Sequence, residues 1–133
     1  MSKNWVSDIY KMHAHYGVHE SIDKMDADKL RKFLQFRIAF LQEELDEMIK
    51  ADNAEDVVDA LIDLCVVAIG TLDGFKVDSY RAWDAVLRAN MNKQVGVKES
   101  RPNPLGLPDL IKPPGWEAPS HIGNYGLVHK IFE

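Results

Sequence analysis

Nine carboxylates and a single lysine, Lys50, occupy the stretch from residue 42 to residue 63. Glu43, Glu44 and Glu47 stand at i, i+1 and i+4, so a helix would place all three on one side, with Glu44 at the rim of the apolar stripe. Like charges at such spacing repel each other unless a cation neutralises them. Carboxylate oxygens suit Mg²⁺ or Mn²⁺, which keep several waters and are usually completed by substrate phosphates.

Asp63 is the acid that an ordinary surface helix explains worst. The cluster EELDE alone is typical of a solvated helix face, but Asp63 stands in an almost wholly apolar run. On a helix, Asp56, Asp59 and Asp63 fall within about 60° of one another. We expect Asp63 in or beside the core, where an ionised carboxylate must be paired or bind a metal. The sequence therefore predicts a divalent metal site between two facing helices.

The spacing of apolar residues predicts an all-α fold that positions these acids. Apolar residues recur at spacings of three and four. This pattern indicates helices at about residues 5–16, 26–50, 52–74 and 78–94. Asp52 and Glu55 are suited to form a capping box at the start of the third. No segment has a convincing strand pattern, so we expect a bundle of about four to five helices.

The C-terminal part of the chain differs in composition from the predicted helices. All six prolines lie between Pro102 and Pro119, which predicts a rigid extended coil over about residues 95–133. So long a coil is more typical of a segment that wraps a site or a partner than of a free tail. We expect residues 1–133 to form one domain, with a helical core at about 26–94.

Composition excludes several classes of function. The 133 residues are 46% hydrophobic and 28% charged, which is ordinary for a soluble globular protein. A net charge of −5 gives no support for nucleic-acid binding. No apolar run is long enough to cross a bilayer, and MSKNWVSDIY lacks the apolar core of a signal peptide. A single cysteine, Cys65, fits a reducing compartment, so we expect a cytoplasmic protein.

Four segments, in order, carry a resemblance to a known superfamily. QEELDE, VVDALIDLCVVAIGTLDGF, AWDAVLRANMNKQ and DLIKPPGWEAP are similar to the MazG-like branch of the all-α nucleoside triphosphate pyrophosphohydrolases. That superfamily also includes dimeric dUTPases and phosphoribosyl-ATP pyrophosphohydrolase. The resemblance covers about residues 30–119. It implies a Mg²⁺-dependent enzyme, with Mn²⁺ as an alternative, that splits a nucleoside triphosphate into monophosphate and pyrophosphate in a bacterium or a phage-infected cell.

The resemblance also implies roles for the acids. Glu44 and Glu47 match the metal ligands of the first helix, and Asp63 matches the aspartate of the second. Glu43 matches the carboxylate expected to orient or deprotonate the attacking water.

One departure concerns the fourth ligand. The superfamily usually has a glutamate three residues before the aspartate of the second helix, where this chain has Ala60. Asp59 is the expected substitute, and Asp56 remains an alternative.

Candidate substrate-binding residues lie in the more basic half of the chain, where residues 79–133 carry seven Lys or Arg against five acids. Asn90 and Lys93 match an element that would contact phosphate or sugar, and Arg101 and Lys112 are further candidates. Trp116 suits either stacking on a base or anchoring the tail.

The histidines give a weaker signal. The spacing of His13, His15 and His19 suggests a zinc site, but no Cys or further His stands at the spacing of zinc ligands. Surface or helix-end positions are therefore favoured for these histidines.

Two further expectations concern assembly and alternative functions. The long first acidic helix has more apolar surface than one partner helix covers, which predicts a homodimer or homotetramer. Phosphoribosyl-ATP hydrolysis is the alternative activity, and a non-catalytic helical module that binds a partner protein is the alternative outside enzymes.

Overall fold

Helices dominate the residues that the computed structural model describes, which are 1–98, 100 and 105–133, so the predicted all-α class is confirmed. In chain order the α-helices are α1 (Trp5–His15), α2 (Val18–Asp23), α3 (Ala27–Lys50), α4 (Ala54–Gly74) and α5 (Ser79–Met91). After them come β1 (Gln94–Gly96), β2 (Asp109–Ile111) and a 3₁₀ helix, η1 (Val128–Phe132). None of the helices formed by the described residues combines the length and apolar character that crossing a membrane requires.

The chain divides into two compact units. The first comprises Met1–Ser79 and Gly123–Glu133, and the second comprises Tyr80–Ile122. In the first unit α3 packs along α4, and α1 and α2 also pack against α4. The centre of its core is formed by four buried side chains from α2, α3, the end of α4 and η1, namely Ile22, Leu30, Phe75 and Ile131.

Capping side chains explain where the two long helices begin. Asp26 caps α3, since its side chain accepts a hydrogen bond from the backbone of Lys29 at 2.9 Å. The cap of α4 is Asn53, which accepts from the backbone of Asp56 at 2.9 Å. The predicted cap, Asp52, was therefore wrong by one residue, because both residue types can supply the accepting oxygen.

The α1–α2 corner contains a helix that the sequence did not predict. Gly17 has a φ of +73°, a left-handed conformation that ends α1 and redirects the chain. Helix α2 then runs for only six residues, too few to give a periodic apolar pattern.

The prediction of a continuous extended coil after α5 was wrong. Strands β1 and β2 pair antiparallel, with Gln94 opposite Ile111 and Gly96 opposite Asp109, and η1 follows near residue 130. Each strand has three residues, so neither shows a detectable alternation. Four of the six prolines, those from Pro108 to Pro119, lie within the described residues, and none of them falls inside a strand or η1.

Residues 123–133 return to the core of the first unit. The side chain of Asn124 accepts from the backbone nitrogen of Asp78 at 2.8 Å and donates to its carbonyl at 2.9 Å. The backbone nitrogen of Leu127 donates to the Phe75 carbonyl at 2.6 Å. Gly126 permits this approach, because a Cβ there would lie 2.0 Å from the Phe75 oxygen.

Candidate active site

Helices α3 and α4 bring the predicted acids together. Glu44 on α3 and Asp63 on α4 are half-buried, while the neighbouring Glu43, Glu47 and Asp59 are exposed at the edge of the helix pair. Asp63 thus lies beside the core, as its apolar neighbours in sequence predict. We call Glu43, Glu44, Glu47, Asp59 and Asp63 the acidic cluster.

The charges of the acidic cluster destabilise one another. Burial raises the pKa of Glu44 above its usual value, and the carboxylates of Glu47, Asp63 and Glu43 raise it further. Burial also raises the pKa of Asp63, with additional contributions from Asp59 and Glu47. Carboxylates from both helices therefore act on the same two half-buried groups, which places their charges within interaction range.

One oxygen of the acidic cluster lacks a partner. Glu44 Oε2 is buried and has no hydrogen-bond partner among the described residues. An unsatisfied, buried carboxylate oxygen is costly without a proton or a cation. An all-oxygen donor set with converging negative charge fits Mg²⁺ or Mn²⁺, so the residues present suit the metal that the resemblance implies.

An open cleft of about 340 Å³ adjoins the acidic cluster and is lined by Glu47, Lys50, Ala51, Asp56 and Asp59. Asp56 is partly engaged elsewhere, since its Oδ2 accepts a hydrogen bond from Asn53 Nδ2 at 2.9 Å. The cleft therefore presents one acid tied to the helix cap beside two acids of the cluster.

Arg37, the arginine of α3 that is nearest in sequence to the acidic cluster, bonds to other groups of α4. Arg37 donates from Nε to Thr71 Oγ1 and from Nη2 to the Val67 carbonyl, both at 3.0 Å. Its guanidinium lies 5.8 Å from the ring centroids of both Phe33 and Phe40. Burial lowers the pKa of Arg37. This cation instead joins α3 to the backbone of α4.

The substrate-binding candidates belong to the second unit. Trp116 Nε1 donates to the Ala89 carbonyl at 2.7 Å, so the indole is anchored to α5. The Nζ atoms of Lys93 and Lys112 lie 5.4 Å and 5.1 Å from its ring centroid. Asn90 is exposed on α5. Arg101 lies outside the described residues.

A cluster of three side chains from α1, α2 and α4 was not predicted from the sequence. His13 and His19 both bond to Asp73, and His13 is buried rather than at the surface. The available signal was the i, i+4 spacing of His13 from buried Ile9 on α1. Asp73 is too distant in sequence to be recognised as their partner.

A protein-family model matches the chain. The family model described as phosphoribosyl-ATP pyrophosphohydrolase matches residues 19–90, more than half of the chain. The matched region includes all of α3 and α4 and ends at Asn90. No curated protein and no solved structure matches.

Proposed function

The chain belongs to the phosphoribosyl-ATP pyrophosphohydrolase family and is a hydrolase of phosphoanhydride bonds, and we propose that it cleaves a nucleoside or deoxynucleoside triphosphate. The bond broken is the α–β phosphoanhydride, and the products are the monophosphate and pyrophosphate. The observation that carries the proposal is the unpartnered, buried Glu44 Oε2 within the acidic cluster. A cation that also binds phosphate oxygens would compensate it.

Four residues of the acidic cluster would hold Mg²⁺ or Mn²⁺, namely Glu44, Glu47, Asp59 and Asp63. Asp59 is preferred to Asp56 because it acts directly on the pKa of Asp63, whereas Asp56 bonds to the helix cap. When bound, the ion supplies neutralisation of the phosphate charge and acidification of a water molecule.

Glu43 is proposed as the general base. Its exposed carboxylate stands next to Glu44 in sequence and contributes to the pKa of that residue. It would accept a proton from the attacking water as the new P–O bond forms. The bridging P–O bond then breaks, and one product leaves with the bridging oxygen.

Lys93 and Lys112 are proposed to bind substrate phosphates, with Trp116 and Asn90 contacting the rest of the nucleotide and Arg101 as a further phosphate contact. Two ammonium groups near one indole ring favour an anion between or beside them. The Trp116–Ala89 hydrogen bond would keep the ring fixed while the lysines engage phosphate.

We also propose that the enzyme works as a homodimer or homotetramer in the cytoplasm. Support comes from large apolar side chains that are exposed along α3 and α4, including Phe36 at 58%, Ile38 at 54% and Val58 at 61%. Exposed apolar surface of this kind on a helix pair is typical of a self-association surface.

Phosphoribosyl-ATP is the second candidate substrate, and the family match supports it equally. Its hydrolysis breaks the same type of bond and needs the same acidic cluster. The two candidates therefore differ in the recognition of the group attached to the α-phosphate.

A substrate panel tests these proposals. Release of pyrophosphate would be measured for canonical and deoxynucleoside triphosphates and for phosphoribosyl-ATP, each with Mg²⁺, with Mn²⁺ and with chelator. We expect metal-dependent turnover of at least one nucleoside triphosphate. Turnover of phosphoribosyl-ATP alone would overturn the first candidate in favour of the second. Absence of turnover on the whole panel would favour a non-catalytic, partner-binding role.

A further inference from the structure

Three side chains from three helices meet at one carboxylate oxygen. His13 Nδ1 lies 2.7 Å and His19 Nε2 lies 2.8 Å from Asp73 Oδ2, and the three ligand atoms all lie within 4.8 Å of one another. His13 is 5% exposed, and the side chains of His19 and Asp73 are 24% and 13% exposed. We call these residues the His–Asp cluster.

The donor types of the His–Asp cluster differ from those of the acidic cluster. Two imidazole nitrogens with one carboxylate oxygen suit Zn²⁺ and similar transition metals, whereas Mg²⁺ prefers oxygen alone. We propose that His13, His19 and Asp73 form a second metal site, which binds a divalent transition-metal ion of the Zn²⁺ type. Three protein ligands leave a fourth tetrahedral position for water.

The observed distances require little rearrangement. With metal–ligand bonds of about 2.0–2.1 Å, tetrahedral ligand atoms are separated by roughly 3.3 Å. The nitrogen–oxygen separations therefore need to grow by about half an ångström, which small side-chain rotations supply. In the hydrogen-bonded state each ring carries a proton on the nitrogen facing Asp73. A nitrogen that binds the metal carries no proton, so the single proton of each neutral imidazole moves to the other ring nitrogen.

The surroundings hold the rings close to a binding arrangement. Tyr10 packs on His19 with ring centroids 4.6 Å apart, which restricts rotation of that ring. Gly70 gives His13 room, because a Cβ there would lie 3.3 Å from its Cε1 and Nε2. The ligands come from α1, α2 and α4, so a bound ion would fasten the N-terminal corner to the end of α4.

The second site is separate from the acidic cluster. Asp73 follows Asp63 by ten residues on α4, which corresponds to about 15 Å along the helix axis. The proposal therefore stands or falls independently of the hydrolytic activity.

Metal binding by the full chain tests the proposal. Zn²⁺ would be titrated into the protein by calorimetry in excess Mg²⁺, and Co²⁺ would be added to a second sample to record the visible absorption of a tetrahedral site. We expect one equivalent of Zn²⁺ to bind and the tetrahedral Co²⁺ spectrum to appear. In His19→Ala we expect the affinity to fall by more than about 10-fold and the spectrum to be lost.

Two further variants make the test specific. His15→Ala removes an exposed histidine of α1 and should bind like the wild type. Asp73→Asn keeps the shape of the third ligand and should also weaken Zn²⁺ binding. Circular dichroism would confirm that each variant is helical. Equal Zn²⁺ affinity in wild type and His19→Ala, or no Zn²⁺ uptake by the wild type, would overturn the proposal and leave a hydrogen-bonded clamp.

Discussion

Asp63 shows how a single side chain reports on function. The pKa of its carboxyl group is raised by burial and by Asp59 and Glu47. A leucine at this position of α4 would avoid that cost. The residue therefore costs stability in the absence of a cation. A group retained at that cost is typical of a functional site.

Asp63→Asn should strongly reduce catalysis while leaving the fold intact. We expect metal-dependent pyrophosphate release to fall more than about 100-fold, because even residues outside the first coordination shell contribute about 10–100-fold. Asp46→Asn is the matched control, since Asp46 is an exposed acid of α3 bonded to Gln42 and lies outside the acidic cluster. Comparable losses in both variants would contradict a specific role for Asp63.

When metal is removed by chelator, the stability of the protein should depend on the ionisation of Glu44 and Asp63. Raised pKa values in the folded state mean that the neutral carboxyls of Glu44 and Asp63 are favoured by folding. Their contribution is fully present below the unfolded pKa of about 4 and is lost as pH rises through the folded values. Asp63→Asn cannot ionise at this position, so we expect it to melt at a higher temperature than wild type at neutral pH.

The melting difference between Asp63→Asn and wild type should shrink as pH is lowered towards 4, where both residues are neutral. Thermal unfolding across this range, with chelator throughout, measures it. A difference that is constant with pH would show that charge is not its cause. Saturating Mg²⁺ should reduce the difference at neutral pH by stabilising the wild type alone.

Residues differ in how far the sequence predicts their surroundings. The half-buried position of Asp63 follows from its immediate apolar neighbours, and the approach of Glu44 follows from helical periodicity. The partners of His13 could not be predicted in this way, because they lie on α2 and at the end of α4. Only the packing of three helices determines that meeting.

Among the helices and strands, only the long elements could be predicted from the sequence. Helices α3 and α4 have 24 and 21 residues, enough for apolar spacing to identify them. Helix α2 and both strands were missed because three to six residues contain at most about one or two turns or alternations. The start of α4 was misassigned by one residue because Asp52 and Asn53 are equally suited to capping.

Asn53→Ala should therefore destabilise α4 more than Asp52→Ala does. Loss of an N-cap side chain costs about 0.5–2 kcal/mol in free energy of unfolding, whereas an exposed substitution usually changes it by less than about 0.5 kcal/mol. Urea unfolding followed by circular dichroism gives both values. Equal effects of the two substitutions would show that Asn53 is not the cap in solution.

At the scale of the whole molecule, the first unit is assembled from two separated stretches of chain. Ile131 of η1 joins Ile22, Leu30 and Phe75 in one core, although about a hundred residues separate it from Leu30. The sequence could not indicate this return, since η1 is short and follows the proline-rich segment. Its docking depends on the close contact between Gly126 and Phe75.

Gly126→Ala should weaken this docking strongly. A left-handed φ of +54° at this position costs an alanine about 1–2 kcal/mol, and the new Cβ would also clash with the Phe75 carbonyl. Gly115→Ala is the matched control, because Gly115 also has a positive φ but its Cβ would contact nothing within 4 Å. We expect a clearly larger loss of unfolding free energy for Gly126→Ala in thermal or urea unfolding. Equal losses would indicate that the positive φ alone, and not the contact with Phe75, makes alanine unfavourable at residue 126.

The double hydrogen bond between Asn124 and Asp78 has an implication for how such proteins diversify. It fastens the point where the chain leaves the first unit to the point where it comes back, so the intervening residues 80–122 form an insert with its two ends already joined. Inserts of this kind can be lengthened, shortened or grafted from a relative at little entropic cost to the host. The sequence and length of this insert can thus change while the acid-bearing helices of the first unit are inherited unchanged.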